Sequence, residues 1–174
     1  PVSVFARDEG GNEAVASLER QAFPKVFQRS RIPIDDGFLG KVVPAIASNT
    51  PDLGVDTGNL LEAFLVINRD LRQKNNATIA SLAAKTAPKM LWTEAFAQLG
   101  NTQVESRFAD NRTYVYQGKE VDRQTHLGFD LASTAQAAVT ASNAGTVVHA
   151  AYLGIYGNCV IVDHGLGVQS LYAH

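Results

Sequence analysis

The sequence has little cysteine, no long apolar run and no surplus of one charge, and each shortage closes off a class of protein. One cysteine, Cys159, leaves no partner for an intrachain disulfide and no second thiolate for a zinc site built from cysteines. It lies in the apolar run Cys159-Val160-Ile161-Val162 and is expected as a small buried hydrophobe. No apolar stretch approaches the ~20 residues that a membrane-spanning helix needs, and the opening residues have no basic region followed by an apolar one. The 15 Lys and Arg and 17 Asp and Glu are scattered along the chain, for a net charge of -2. That distribution supplies neither a basic stripe for phosphates nor a polybasic membrane anchor, so nucleic acid is not an expected partner. What remains is a chain of 174 residues, 45% hydrophobic, long enough to bury a core and too apolar to be disordered.

Three stretches differ in character. Val2-Ser3-Val4-Phe5-Ala6-Arg7-Asp8 alternates apolar and polar residues before the turn-forming Gly10-Gly11-Asn12. It resembles the closing strand of an immunoglobulin-like module, so residues 1–16 are expected to belong to an upstream unit and the chain to be a fragment. Residues 17–102 form a mixed, mostly helical segment, punctuated early by Pro24, Pro33, Pro44 and Pro51 with short helices expected between them. Asn59-Leu60-Leu61-Glu62 has the form of a helix N-terminus, and Leu60, Leu61, Phe64, Leu65, Ile67 and Leu71 follow at helical spacing. Asn75-Asn76 is expected to interrupt that helix before Ile79 and Leu82. The apolar residues Met90, Leu91, Trp92, Phe96 and Leu99 fit helix or strand, with Trp92 a core anchor.

Residues 103–174 are richer in Val, Ile, Tyr and Thr, with strand-like runs at 113–116, 145–152, 159–164 and 168–174. Short glycine-bearing connections between them predict antiparallel neighbours. The expected fold class is α+β, a helical segment followed by an antiparallel β-sheet domain.

Within this stretch, His126-Leu127-Gly128-Phe129-Asp130 sets an imidazole and a carboxylate, both suited to zinc, four residues apart. On a straight strand they would lie ~13 Å apart, too far to share an ion whose bonds are ~2 Å long. The segment must therefore bend, with Gly128 the residue expected to supply the unusual conformation, or else form an isolated helical turn. Taken alone, the pair also fits a surface histidine beside a turn aspartate. In Tyr172-Ala173-His174 the outer side chains share a face if the segment is a strand, offering a hydroxyl and an imidazole to one cleft. His149, without an acidic or histidine neighbour, reads as solvent-facing or hydrogen-bonded, and His164 as structural at a strand end.

Ser106-Arg107-Phe108, Arg112, His126-Leu127-Gly128-Phe129-Asp130-Leu131-Ala132, Gly145-Thr146-Val147, Gly157-Asn158, Val160-Ile161, His164-Gly165 and Tyr172-Ala173-His174 occur in one order. In that order and spacing the last 70 or so residues resemble the lysostaphin-type (LytM-like) zinc metallopeptidases. The resemblance implies a duplicated-hybrid-motif β-domain truncated at its C-terminal side. It makes His126 and Asp130 zinc ligands and His174 an active-site histidine that is not a ligand. It also implies a downstream His-x-His pair, completing the zinc site and supplying a base, which these residues lack. A missing C-terminal region or a second polypeptide is expected to provide it. The implied activity is zinc-dependent cleavage of peptide bonds in peptidoglycan, in the periplasm or outside the cell. Anchoring to the membrane through a missing N-terminal region is an option within the same reading. The alternative is a catalytically inactive relative that binds the cell wall or regulates another hydrolase.

Overall fold

A computed structural model of the chain describes residues 3–17 and 23–174, so Val2 of the first expected strand lies outside the described residues. The fold is α+β. In chain order the elements are β1 (Ser3–Arg7), β2 (Glu13–Ser17), β3 (Arg29–Ile34), α1 (Asp36–Asn49), α2 (Leu60–Val66), α3 (Arg72–Ala83), β4 (Gln103–Ser106), β5 (Asn111–Tyr116), β6 (Lys119–Thr125), β7 (Asp130–Ala132), β8 (Thr146–Tyr152), β9 (Asn158–Asp163) and β10 (Gln169–Tyr172). They form four small sheets among the described residues, in the orders β1-β2, β3-β5-β6, β4-β7 and β10-β9-β8.

The opening stretch holds two strands where the alternation predicts one. β1 and β2 pair as an antiparallel hairpin, and both are exposed along their whole length. The Asp8 carboxylate closes the turn by accepting from the Asn12 backbone amide at 2.9 Å and its side-chain amide at 2.8 Å. β3 is the second departure, since it contains Pro33 and pairs in parallel with β5. A residue without an amide hydrogen fits there because β3 is the outer strand of its sheet.

Helix α1 starts at Asp35, whose side chain accepts from the Phe38 amide at 2.7 Å, and it runs through Pro44 instead of stopping there. Its buried residues Leu39 and Val43 precede the proline and keep that face docked. Asn59 caps α2 as its sequence predicts, accepting from the Glu62 amide at 3.3 Å. From there one rod continues through a π-helical turn (Ile67–Leu71) into α3. Phe64, Ile67 and Leu71 of the apolar stripe are buried with Ile34, Leu39, Val43 and Tyr114, which fixes the helices on the β3-β5-β6 sheet.

Asn75-Asn76 does not interrupt the rod. Asn75 is buried, and its side-chain oxygen accepts from the Ile155 amide at 3.0 Å, while Asn76 accepts from the Tyr156 hydroxyl at 2.9 Å. Side chains engaged across the structure no longer compete for their own helix backbone. The 154–156 turn thereby docks on α3, above a second core of Leu153, Cys159 and Ile161 with Ile79 and Leu82 packed against it. Cys159 is free and buried, as its neighbours predict. Residues 84–102 contain no regular element, and no helix of the described residues is long and apolar enough to cross a membrane.

The irregular stretch is nevertheless fixed to the β9–β10 turn. The Asp163 carboxylate accepts from the Thr86 hydroxyl at 2.6 Å and the Ala87 amide at 2.9 Å, and the Leu91 amide donates to the His164 carbonyl at 2.8 Å. Led by the Thr86 hydroxyl, with the Ala87 and Gly165 amides, these bonds to Asp163 hold its carboxyl below the ordinary aspartate range against the opposing effect of burial.

Two outcomes test this packing. Gly154 has φ 46°, and a Cβ added there would collide with the Asn75 side chain. Gly154→Ala should lower stability by ~2–4 kcal/mol in urea unfolding. Because the folded pKa of Asp163 is depressed, its contribution is fully present above the unfolded value of ~3.9 and disappears as pH falls through the folded one. Asp163→Asn should lower the urea midpoint at pH 7 and flatten its decline between pH ~5 and ~2.

Candidate metal centre

Two strand ladders converge on the candidate ligands. The β5–β6 pairing ends at Asn111 and Thr125 but continues one step in hydrogen bonds, with His126 N donating to Asp110 O at 2.9 Å and Ala109 N to His126 O at 2.7 Å. Ala109, at φ 61°, turns the chain into this position. After 127–129, Asp130 opens β7, where it lies opposite Ser106 of β4 beside a bulge between Val104 and Ser106. His126 is thus set above Asp110, and Asp130 above Ser106.

The bend that the spacing demands is present, and His126 Nε2 lies 3.2 Å from Asp130 Oδ1. Gly128 does not create it through a left-handed conformation. Gly128 is absent from the glycines with positive φ, and a Cβ there would meet nothing within 4 Å. The separation is closed because the chain leaves one sheet for another between the two residues.

The surrounding bonds set which ring nitrogen carries hydrogen. His126 Nδ1 lies 3.0 Å from the Arg107 carbonyl oxygen and 3.2 Å from the Ser106 hydroxyl. A carbonyl only accepts, so Nδ1 carries the hydrogen, and in the neutral ring Nε2 presents a lone pair to the carboxylate. Two facing lone pairs at hydrogen-bond distance require a proton or a cation between them. Nε2 and Oδ1 also have the spacing of two ligands on one tetrahedral zinc, ~3.3 Å for bonds of ~2.0–2.1 Å.

The charges nearby favour a cation. Arg112, largely buried, contacts Asp130 Oδ2 at 3.3 Å and Asp110 Oδ2 at 3.5 Å, and hydrogen-bonds the Ser106 hydroxyl. Asp110 is buried, and its Oδ1 has no hydrogen-bond partner. Asp110 and Asp130 share the one Arg112 guanidinium, and a cation held by Nε2 and Oδ1 would give the Asp130 carboxylate a second positive partner. The donors present therefore fit part of a zinc site. Among the described residues, no group of three or more His, Cys, Asp or Glu is placed to hold a metal.

The third predicted residue stands apart in its bonding. His174 is exposed, its backbone amide donates to Tyr156 O at 3.0 Å, and no hydrogen bond or ion pair joins its side chain to His126 or Asp130. β10 ends at Tyr172 and His174 has φ 72°, so strand alternation does not carry Tyr172 and His174 onto one face. The Tyr172 hydroxyl is engaged at Ser142, accepting from its amide at 2.6 Å and pairing with its hydroxyl at 3.1 Å.

The remaining histidines divide. His164 is fully buried, with Nδ1 2.7 Å from Ala144 O and Nε2 2.8 Å from the Ser170 hydroxyl, a structural role as its strand-end position predicts. His149 is half-buried, and its Nε2 is buried without a hydrogen-bond partner. The roles of Ser106, Asp110 and Arg112 were not readable as site chemistry. Ser106 and Arg112 stood out only through their place in an ordered family pattern, and nothing marked Asp110.

Residues 124–174, which include His126, Asp130 and His174, match the model of Peptidase family M23. The match supports a LytM-like M23 peptidase-family domain over this stretch. A comparison with curated proteins found no match.

Because Gly128 sits in open space without a positive φ, Gly128→Ala should leave the unfolding free energy from urea titration within ~0.5 kcal/mol of the parent. A loss above ~2 kcal/mol would show that the bend does depend on glycine.

Proposed function

We propose that the protein is a zinc-dependent endopeptidase that cleaves peptide bonds of bacterial peptidoglycan, in the stem peptide or the cross-bridge, at the cell envelope. The observation that carries this reading is the convergence of His126 Nε2 and Asp130 Oδ1 at 3.2 Å inside the segment matching the M23 peptidases. His126 and Asp130 would hold the ion, the imidazole fixed in its Nδ1–H form by the Arg107 carbonyl and the carboxylate by Arg112. When bound, zinc supplies Lewis-acid polarisation of the scissile carbonyl and lowers the pKa of an attacking water.

His174 is assigned the donor role toward the oxygen that gains charge as the carbonyl becomes tetrahedral. Its exposure leaves the imidazole accessible, and the hydrogen bond from its amide to Tyr156 fixes its backbone. The third ligand and the general base are assigned to a downstream His-x-His pair, or to a second polypeptide if that pair lies elsewhere. The duplicated-hybrid-motif architecture belongs to the same proposal, with the β10-β9-β8 sheet as one of its components.

The test is release of new amino groups from purified peptidoglycan by the zinc-loaded protein. His126→Ala and Asp130→Ala should each lower the rate at least ~100-fold and lose stoichiometric zinc, since both act through the metal. Zinc-replete protein that binds peptidoglycan and releases no amines would replace this reading with that of a wall-binding, inactive relative.

A further inference from the structure

We propose that Arg112 is the positioning residue of this site, a single guanidinium that sets the orientation of both His126 and Asp130. The inference rests on the reading of those two residues as zinc ligands. Arg112 and Asp110 are two residues apart, so their side chains point to the same side of the chain. Asp110 Oδ2 holds the guanidinium from behind through Nε at 3.5 Å. The guanidinium's Nη2 then reaches Asp130 Oδ2 at 3.3 Å and donates to the Ser106 hydroxyl.

Each contact acts on a different ligand. A carboxylate can turn about its last bond and present either oxygen or both. Arg112 occupies Oδ2 and leaves Oδ1 as the oxygen facing the imidazole, which favours one-oxygen coordination. Ser106 acts on the ring. Its oxygen accepts from Arg112 on one side and lies 3.2 Å from His126 Nδ1 on the other, beside the Arg107 carbonyl. The hydroxyl thus helps keep the hydrogen on Nδ1 and the lone pair on Nε2.

Burial makes the arrangement strict. The Asp110 side chain is 4% exposed and that of Arg112 22%, whereas that of Asp130 is 44% exposed. The inner pair is shielded from water and stays in place, and the outer carboxylate takes its orientation from it. A planar fork can satisfy Asp110, Ser106 and Asp130 together; a lysine ammonium in the same place supplies a charge without that geometry.

The experiment is a zinc titration of the protein against a chromophoric chelator, run beside thermal unfolding in excess chelator. Arg112→Met should weaken zinc binding ~10–100-fold, Arg112→Lys should recover part of that loss, and Ser106→Ala should lose less than Arg112→Met. In the metal-free protein, the 15N shifts of His126 should report less of the Nδ1–H tautomer in Arg112→Met and Ser106→Ala. Zinc affinity within twofold of the parent in a folded Arg112→Met would overturn the proposal. If that variant does not unfold cooperatively in chelator, Arg112→Lys and Ser106→Ala decide, and parental affinity together with a parental tautomer in both overturns it. His126→Ala and Asp130→Ala, measured alongside, separate the two ideas. Should neither weaken zinc binding, the metal site itself is misassigned; should both weaken it while the Arg112 and Ser106 variants do not, only the positioning role fails.

Discussion

The antiparallel ladder between β5 and β6 is the constraint on which the rest of the molecule depends. Its middle places Tyr114 against Phe64 in the core and sets Asp122 beneath the helical rod. Burial pushes the Asp122 carboxyl up, but bonds from Gln124, Arg69 and Asn68 outweigh it and hold the group below the ordinary range. The π-helical turn matters here, since Asn68 and Arg69 lie within it and reach Asp122 at 2.7 and 2.9 Å. One step beyond the end of the same ladder stand Asp110 and His126. A register slip in this pair of strands would reverse the facing of the core, the helix anchor and the candidate ligand together.

Charge is handled differently in the middle of that ladder and beyond its end. Asp122 has three side-chain donors and no visible shortage of partners, as a structural carboxylate should. Asp110 and Asp130 share the Arg112 guanidinium, and one buried oxygen of Asp110 lacks a donor. The first arrangement stabilises the fold without further ligands. The second leaves a buried polar atom without a partner, which costs folding free energy.

Much of the architecture was legible in local sequence. Asn59 announced its helix because a side-chain oxygen followed by Glu62 has one favoured use, and β5, β8, β9 and β10 followed from their β-branched and aromatic content, whereas β4, β6 and β7, more polar or very short, lay outside the expected runs. Elements governed by distant partners were not legible. Asn75 and Asn76 looked like breakers until Ile155 and Tyr156 were seen to occupy their side chains, some 80 residues later in the chain. β3 was hidden because Pro33 argues against a strand unless its neighbours leave one edge unpaired. At the site, the need for a bend between His126 and Asp130 could be deduced from spacing. Its cause could not, because a change of sheet leaves no local mark and Gly128 offered a simpler explanation. Arg112 showed its partners only once β4 and β5 had been placed in space.

Tyr156 joins two regions of the molecule through opposite ends of one residue. Its hydroxyl is held by Asn76 on α3, and its carbonyl oxygen receives the backbone amide of His174. Helix and histidine are therefore linked through one residue, alongside the packing of Leu171 in the same cluster as Ile79 and Leu82. Gly154, pressed against Asn75, removes the slack that would let the turn slide along the helix surface. The end of the chain at His174 is thus tied, through Tyr156, to the same helical rod that packs on the β3-β5-β6 sheet.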